Sequence, residues 1–455
     1  MLLPSPRSAA SSGILRRVGA LFLAGVLVLF SSAVQPAQPG PLRPCRVSGA
    51  EALCGTISVP EDRSRPHARM LSLRFRVLRA TRTATQPPLY AINGGPGASS
   101  VDMAETLVRS FPSLRGDRDI VLLDQRGSGG SNALRCAAVP GRPFIPADVQ
   151  GCLAELARHA DLRFYGTDHF VQDLDDVRAV LGHGRIDIFG ISYGTRAAWW
   201  YARRFPERLR SVVLLSPNPP SQRLFESVGQ DTMEVLDSIV AHCQADAECA
   251  RAFPRLAANT KPALAAVAGE RLVGLPLLLY STETARRLPW LIYQARPQSA
   301  PALETALDGA LREGQSQVAL GLLLTVQCSE EWAINRRVAE WPVSAWTWDL
   351  FAAACREWPR FSVPHGFRDR FSSSARALII SGEWDPTTGP RWAREMGTYF
   401  ARSTVLNISK GTHGLSDVAP CLSDIIAAFL DERDASIGCL TELASRPYFV
   451  PGRPN

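Results

Sequence analysis

Ile186-Asp187-Ile188-Phe189-Gly190-Ile191-Ser192-Tyr193-Gly194-Thr195 decides the reading of this chain. An apolar strand runs into a serine flanked at two residues' distance by glycines, and helical patterning continues from Thr195 to about Arg204. A strand, a tight turn and a helix with serine at the apex form a nucleophile elbow. The glycines are needed where any Cβ would collide as strand reverses into helix, and the serine is held strained with its Oγ exposed. Ser192 is therefore the candidate nucleophile, and it needs a base, an acid to orient that base, and donors for an oxyanion.

Downstream, Arg376-Ala377-Leu378-Ile379-Ile380-Ser381-Gly382-Glu383-Trp384-Asp385-Pro386 is an apolar strand ending in acids. Asp385 is the expected acid, because the Asp-Pro step is where the chain must leave the strand and turn; Glu383 is its rival. With serine first and the acid second, the base must follow the acid. His413, in Lys410-Gly411-Thr412-His413-Gly414 just after the strand Thr404 to Ser409, is the one histidine that does. His67, His159, His169, His183, His242 and His365 all precede Asp385 and read as surface or core histidines. Upstream, Pro88 to Asn93 is an apolar strand that breaks into Gly94-Gly95-Pro96-Gly97. The backbone amides of Gly95 and Tyr193 are the expected oxyanion donors, with Gly94 as the substitute for Gly95.

Asn93-Gly-Gly-Pro-Gly97, Asp124-Gln-Arg-Gly-Ser-Gly-Gly-Ser131, Gly190-Ile-Ser-Tyr-Gly-Thr195 and Ser381-Gly-Glu-Trp-Asp-Pro386 together resemble the prolyl aminopeptidase and tripeptidyl aminopeptidase group of α/β-hydrolase serine peptidases. The likeness covers residues 45 to 440, and its D-Q-R-G-x-G-x-S element separates the group from ordinary lipases and esterases. It implies cleavage of short peptides from a free N-terminus. Family members often carry His before Gly-Gly-Pro-Gly, where this chain has Asn93. Read without the family, Asp124 and Arg126 end a strand and are expected to be structural, with bracing of the glycine loop as the alternative.

Outward from the elbow, Ser211 to Leu215 is nearly continuous in apolar residues, as a buried parallel strand should be. Phe170, Leu174, Val177 and Leu181 make one apolar helix face. Met70 to Val77 alternates with period two. Alternating β and α patterns predict an α/β fold of the α/β-hydrolase kind, a mainly parallel sheet flanked by helices. The alternation stops at Pro217 and resumes near residue 375. A helical cap over 218–374, inserted after the sixth strand, therefore separates a first core segment, 45–217, from a second, 375–440. The cap carries helical patterns at 233–240 and 302–324, interrupted by Pro254, Pro262, Pro289 and Pro301. By resemblance to related enzymes, its Glu330 and Glu331 are candidates for a substrate ammonium; a solvated helix face is their ordinary alternative. Trp332, Trp341, Trp346 and Trp348 line a pocket or pack the core.

At the start of the chain, Arg16-Arg17 precede the thirteen-residue apolar run Val18 to Phe30 and the small residues Ser31-Ser32-Ala33. That is a secretory signal pattern over 1–33, cleaved after Ala33 or Ala37. The run is short of the roughly twenty residues a membrane span needs, so no stable membrane anchor is expected after cleavage. An exported protein, periplasmic or secreted, accounts for ten cysteines. Cys45/Cys54, Cys136/Cys152, Cys243/Cys249, Cys328/Cys355 and Cys421/Cys439 are expected to pair consecutively, with free buried cysteines as the alternative. The formal charge of +7 rests on scattered arginines with no basic run, so nucleic acid is not an expected partner. Neither H-E-x-x-H nor C-x-x-C occurs, and neither a metal nor a cofactor is expected.

The expected activity is an exported serine hydrolase acting on short peptide substrates, releasing Pro, another amino acid or a short peptide from their N-termini. The alternatives are a carboxylic-ester hydrolase with the same Ser192, Asp385 and His413, and a catalytically silent binding protein on the same fold.

Overall fold

A computed structural model describes residues 37–65, 69–139, 142–296, 298–414, 420–440 and 447–451. The expected signal segment over 1–33 lies outside them, as does His67. Ten strands form the main sheet: β1 (Gln38–Pro39), β2 (Arg43–Val47), β3 (Ala50–Pro60), β4 (Met70–Leu78), β5 (Leu89–Ile92), β6 (Ile120–Leu123), β7 (Ile186–Ile191), β8 (Leu209–Leu215), β9 (Ser373–Gly382) and β10 (Phe400–Ile408). They lie in the order β1-β3-β4-β6-β5-β7-β8-β9-β10, with β2 paired to β3. From β6 to β10 every neighbouring pair is parallel, and the strands on the other side are antiparallel.

The inner parallel strands are apolar on both faces because both faces are covered, whereas β10, at the sheet edge, is largely exposed. Tyr90, Val121, Ile188, Val212 and Ile379 point to one side, where Phe170, Leu174, Trp199 and Met396 of three helices meet them. Ala91, Leu122, Phe189, Val213 and Ile380 point to the other, against Leu107 of helix Ala104–Ser110 and Ile426 of helix Pro420–Leu430. The period-two alternation of a strand thus sorts consecutive residues into two separate apolar layers. At roughly 1.5–3 kcal/mol for each fully buried large aliphatic side chain, these layers dominate the stabilisation of the core.

Between β8 and β9 the chain is helical, from Leu224–Ala245 through Pro342–Glu357. These helices share their own apolar centre around Leu236, Ile239, Leu275, Leu288 and Leu307, and Trp384 of the acid loop inserts into it. Two expectations fail here. The helix read over 302–324 is two helices, Pro301–Ser316 and Leu320–Val326. Between them Val318 bridges to Ala98 and Ala319 N donates to Gly97 O at 3.0 Å, so backbone pairing with the glycine loop replaces the helical bonds. Pro262 and Pro289 sit inside helices Leu256–Ala265 and Thr282–Tyr293. Pro289 is itself buried, and packing there offsets the lost backbone bond.

The sequence reading also missed β1, β2 and the ribbon Ala138–Val139 with Arg142–Pro146. These short strands, all but Ala138–Val139 containing proline, lack an apolar repeat. β2 is fastened to β3 by the disulfide Cys45–Cys54. The other four disulfides are Cys136–Cys152, Cys243–Cys249, Cys328–Cys355 and Cys421–Cys439, and no cysteine is free among the described residues. Among those residues no helix is long and apolar enough to cross a membrane.

Candidate active site

Ser192 stands between β7 and helix Tyr193–Arg204 with φ 53° and ψ −122°, a conformation that costs a non-glycine residue of order 1–3 kcal/mol. Its surroundings enforce that geometry. A Cβ on Gly190 would lie 2.7 Å from Gly194 O, and one on Gly194 would lie 2.5 Å from Ile92 O. The helix therefore begins directly against β5, and Ser192 N donates to Leu215 O of β8 at 2.9 Å. The serine opens into a cavity of about 750 Å³ that Gly94, Gly95, Tyr193, Thr387, Thr388 and His413 also line.

His413 reaches this cavity from the loop after β10. Its Nδ1 lies 3.0 Å from both carboxylate oxygens of Asp385, which is 1% exposed in the turn after β9. Thr387 N and Thr388 N donate to Asp385 Oδ1 at 3.0 and 2.9 Å, and Thr388 Oγ1 donates to Oδ2 at 2.8 Å. Burial acts to raise this carboxyl, but the attraction and hydrogen bond of His413 and the two amides outweigh it and lower it to about 2. The acid is thus ionised and aimed at the imidazole. The rival Glu383 is engaged elsewhere, accepting from Ser409 Oγ at 2.8 Å and Lys410 N at 2.9 Å. No hydrogen bond joins Ser192 Oγ to His413 here, although both line the cavity; such bonds commonly tighten only with substrate in place.

The glycine loop is held by side chains. Gly94 N donates to Asn93 Oδ1 at 2.8 Å, while Asn93 Nδ2 donates to Ser99 O at 2.9 Å. Gly94 N is thereby occupied, whereas Gly95 N and Gly97 N have no acceptor among the described residues. Asp124, fully buried, accepts from Ser99 Oγ, Val101 N, Gly130 N and Arg74 Nε. It braces the glycine loop. Arg126 does not: it pairs with Asp173 and donates to Glu61 O and Phe164 O, joining the end of β3 to helix Thr167–Val180.

Further contacts, made by Gln125, Thr167 and Tyr280, escaped the sequence reading. Gln125 Nε2 lies 3.2 Å from Tyr193 Oη, which in turn is 2.6 Å from Thr167 Oγ1. The D-Q-R-G segment and the helix start at Thr167 therefore fix the side chain of Tyr193, the residue that follows Ser192. Tyr280, from the cap, stacks on His413 with ring centroids 4.1 Å apart, and its carbonyl accepts from Thr412 Oγ1 and Gly414 N. Nothing local announces Tyr280, since it lies far from His413 in sequence.

Of the two cap carboxylates, Glu331 lines the cavity and Glu330 does not. Glu330 is buried and accepts from Thr167 N at 2.8 Å and Thr167 Oγ1 at 2.7 Å, at the N-terminus of helix Thr167–Val180, where negative charge is favoured. Burial nonetheless raises its pKa. Glu331 is ion-paired with Arg196 of the elbow helix and lies 3.7 Å from Arg368. Trp332 and Trp348 stack on each other at 4.2 Å, and Trp346 is largely exposed. None of the four tryptophans lines the cavity.

A sheet parallel from β6 onward, a strained serine at the end of a strand and a histidine backed by a buried carboxylate define a class of hydrolases. The chain belongs to the alpha/beta hydrolase fold family, whose model matches residues 87–420. Among curated relatives, it is 29% identical to serine protease Hip1 of Mycobacterium tuberculosis, over 47% of this chain and 46% of that protein. The chain thus spans about half the length of that relative. It is 26% identical to the putative hydrolase YuaR of Escherichia coli K12, covering 81% of this chain and 83% of the relative. With the tripeptidyl aminopeptidase of Streptomyces lividans it shares 23% identity over 87% of this chain and 84% of that one. Two of these relatives, serine protease Hip1 and the tripeptidyl aminopeptidase, carry peptidase names, in line with the serine peptidase group that the four motifs resemble.

Proposed function

We propose that the protein is an exported serine aminopeptidase in which Ser192 is the nucleophile, His413 the base and Asp385 the orienting acid. The observation that carries the proposal is the cavity itself: Ser192 and His413 both line it, and the ionised Asp385 is buried directly behind His413. In this mechanism His413 takes the Ser192 Oγ proton as the oxygen bonds to the substrate carbonyl carbon. The oxyanion so formed accepts hydrogen bonds from Gly95 N and Tyr193 N. His413 then gives its proton to the leaving amine as the scissile bond breaks. Water, deprotonated by His413, cleaves the acyl-enzyme and restores Ser192. Asp385 stays ionised throughout and stabilises the imidazolium.

Release from a free N-terminus rests on Glu331, a carboxylate in the cavity wall able to meet an ammonium, and on the kinship with tripeptidyl aminopeptidase. Five disulfides support export. The pairing of Glu331 with Arg196 favours a second reading, a carboxylic-ester hydrolase, because a carboxylate already neutralised attracts an amine less. The two separate on Pro-, Ala- and tripeptidyl-coumarin amides, each with a free and an acetylated N-terminus. A preference of at least about tenfold for the free amine, roughly 1.4 kcal/mol, is the expected result. Equal rates, or turnover of p-nitrophenyl esters alone, would assign the ester hydrolase.

A further inference from the structure

Arg196 sits one turn into the elbow helix, 2% exposed, and lines the same cavity as Ser192. Its Nη1 meets Glu331, but its Nε and Nη2 are buried with no hydrogen-bond partner. Across Glu331, Arg368 donates through Nη1 to Pro220 O at 3.0 Å, while its buried Nη2 has no hydrogen-bond partner. Gln327, another wall residue, has a buried Oε1 that accepts nothing. Glu330 supplies a fourth charge, yet both its oxygens are taken by Thr167. Burial, reinforced by Arg368, pushes Arg196 down to about 9, so its guanidinium remains charged at neutral pH.

Buried donors and acceptors left unmade are costly, charged ones most of all, and here they cluster on one wall of the cavity that holds Ser192. The vacant Nε–Nη2 edge of a guanidinium is the fork that binds a carboxylate with two parallel bonds. Gln327 Oε1 and Glu331 offer acceptors on the same wall. A group that satisfies both sets carries a carboxylate and an amine together.

We propose that Arg196 is a specificity-determining residue that binds an acidic side chain in the released part of the substrate, beside the free amine held by Glu331 and Gln327. The preferred substrates are then peptides with Asp or Glu in their N-terminal segment. This deepens the aminopeptidase reading and rests on it for the amine. The carboxylate subsite itself depends only on the acyl group lying in this cavity.

The test compares Glu with Gln at each position of Ala-based tripeptidyl-coumarins with free N-termini, together with Glu- and Gln-coumarin. In parallel, mono-p-nitrophenyl glutarate is compared with p-nitrophenyl butyrate. The wild-type protein should favour Glu over Gln in kcat/KM by at least tenfold at one position. Arg196→Lys, which keeps a charge opposite Glu331, and Arg368→Gln should each reduce that ratio, Arg196→Lys the more strongly. Turnover of the Gln and Ala peptides with no gain from Glu would overturn the proposal while leaving the aminopeptidase reading intact. Preference for the glutarate ester with no peptide turnover would retain the Arg196 subsite and discard the aminopeptidase. A Glu-to-Gln ratio unchanged in Arg196→Lys would also overturn the proposal.

Discussion

The sheet and the cap deliver residues to the cavity in different ways. Ser192, Asp385 and His413 follow the ends of β7, β9 and β10 by one, three and five residues, and Gly95 follows β5 by three. All four strands are parallel, so their carboxyl ends share one edge of the sheet, where binding crevices of open α/β sheets form. Tyr280 comes instead from the turn between helices Gly274–Leu278 and Thr282–Tyr293, and Gln327 and Glu331 from the helical turn Gln327–Glu331, elements whose place over the cavity depends on packing between distant parts of the chain. Chemistry assigned to the sheet edge depends on backbone geometry; recognition assigned to the cap depends on side-chain pairing. The two regions should therefore respond differently to substitution.

Replacement of Ser192 by Ala should show the largest effect. Turnover should fall at least about 10⁴-fold with the thermal midpoint retained, since alanine bears the same strain at φ 53° and Ser192 Oγ makes no hydrogen bond among the described residues that folding would lose. Asp385→Asn comes next, at about 10⁴-fold or somewhat less, the scale found when asparagine replaces the buried acid of a serine protease triad. Its carboxyl, lowered to about 2 from an ordinary 3.8, stabilises the fold at every pH above about 4. That contribution is lost progressively as pH falls from about 4 through about 2, so acid-unfolding curves of wild type and Asp385→Asn should converge below about pH 2.

The cap substitutions should be milder. Tyr280→Leu removes the ring stacked on His413 and should lower kcat about tenfold or less, in line with the 0.5–1.5 kcal/mol of an aromatic pair. Tyr280→Phe should retain most of the rate, because the stack survives without the hydroxyl. A loss in Phe as large as in Leu would shift the role from the ring to the Tyr280 Oη contact with Thr387 Oγ1.

The smallest effect concerns the seam between the regions. Asp231, on cap helix Leu224–Ala245, pairs with Arg391 at 2.6 Å and accepts from Trp392 Nε1 at 3.0 Å, both just beyond the acid loop. Burial raises its carboxyl to about 6, against the pull of Trp392 and Arg391. Between about pH 4 and 6 the folded protein keeps a proton that the unfolded chain has lost, so this group makes stability decline as pH rises through that window. Asp231→Asn should flatten the decline in urea midpoint over the same range, and an unchanged slope would remove Asp231 from the seam.

The same contrast explains what the sequence made legible. Gly190, Ser192 and Gly194 fall in one short run whose glycines collide with named backbone atoms if substituted, so local sterics wrote the elbow directly. Asp385 was separable from Glu383 because Asp-Pro marks the turn, and Ser409 and Lys410 account for Glu383. Gly94 and Gly95 were not separable in the sequence, because what distinguishes their amides is the Asn93 side chain, whose Oδ1 accepts from Gly94 N. The helix pattern at 302–324 hid a break, since its cause is the glycine loop more than two hundred residues earlier. Gln125 and Tyr280 act through partners far away in sequence, and no periodicity or spacing reports such contacts.

Fluorophosphonate labelling followed by peptide mass mapping tests the central claim most directly. The account predicts a single adduct on Ser192, formed with wild-type protein and suppressed in His413→Ala. An adduct on any other residue, or no adduct on folded wild-type protein, would contradict it.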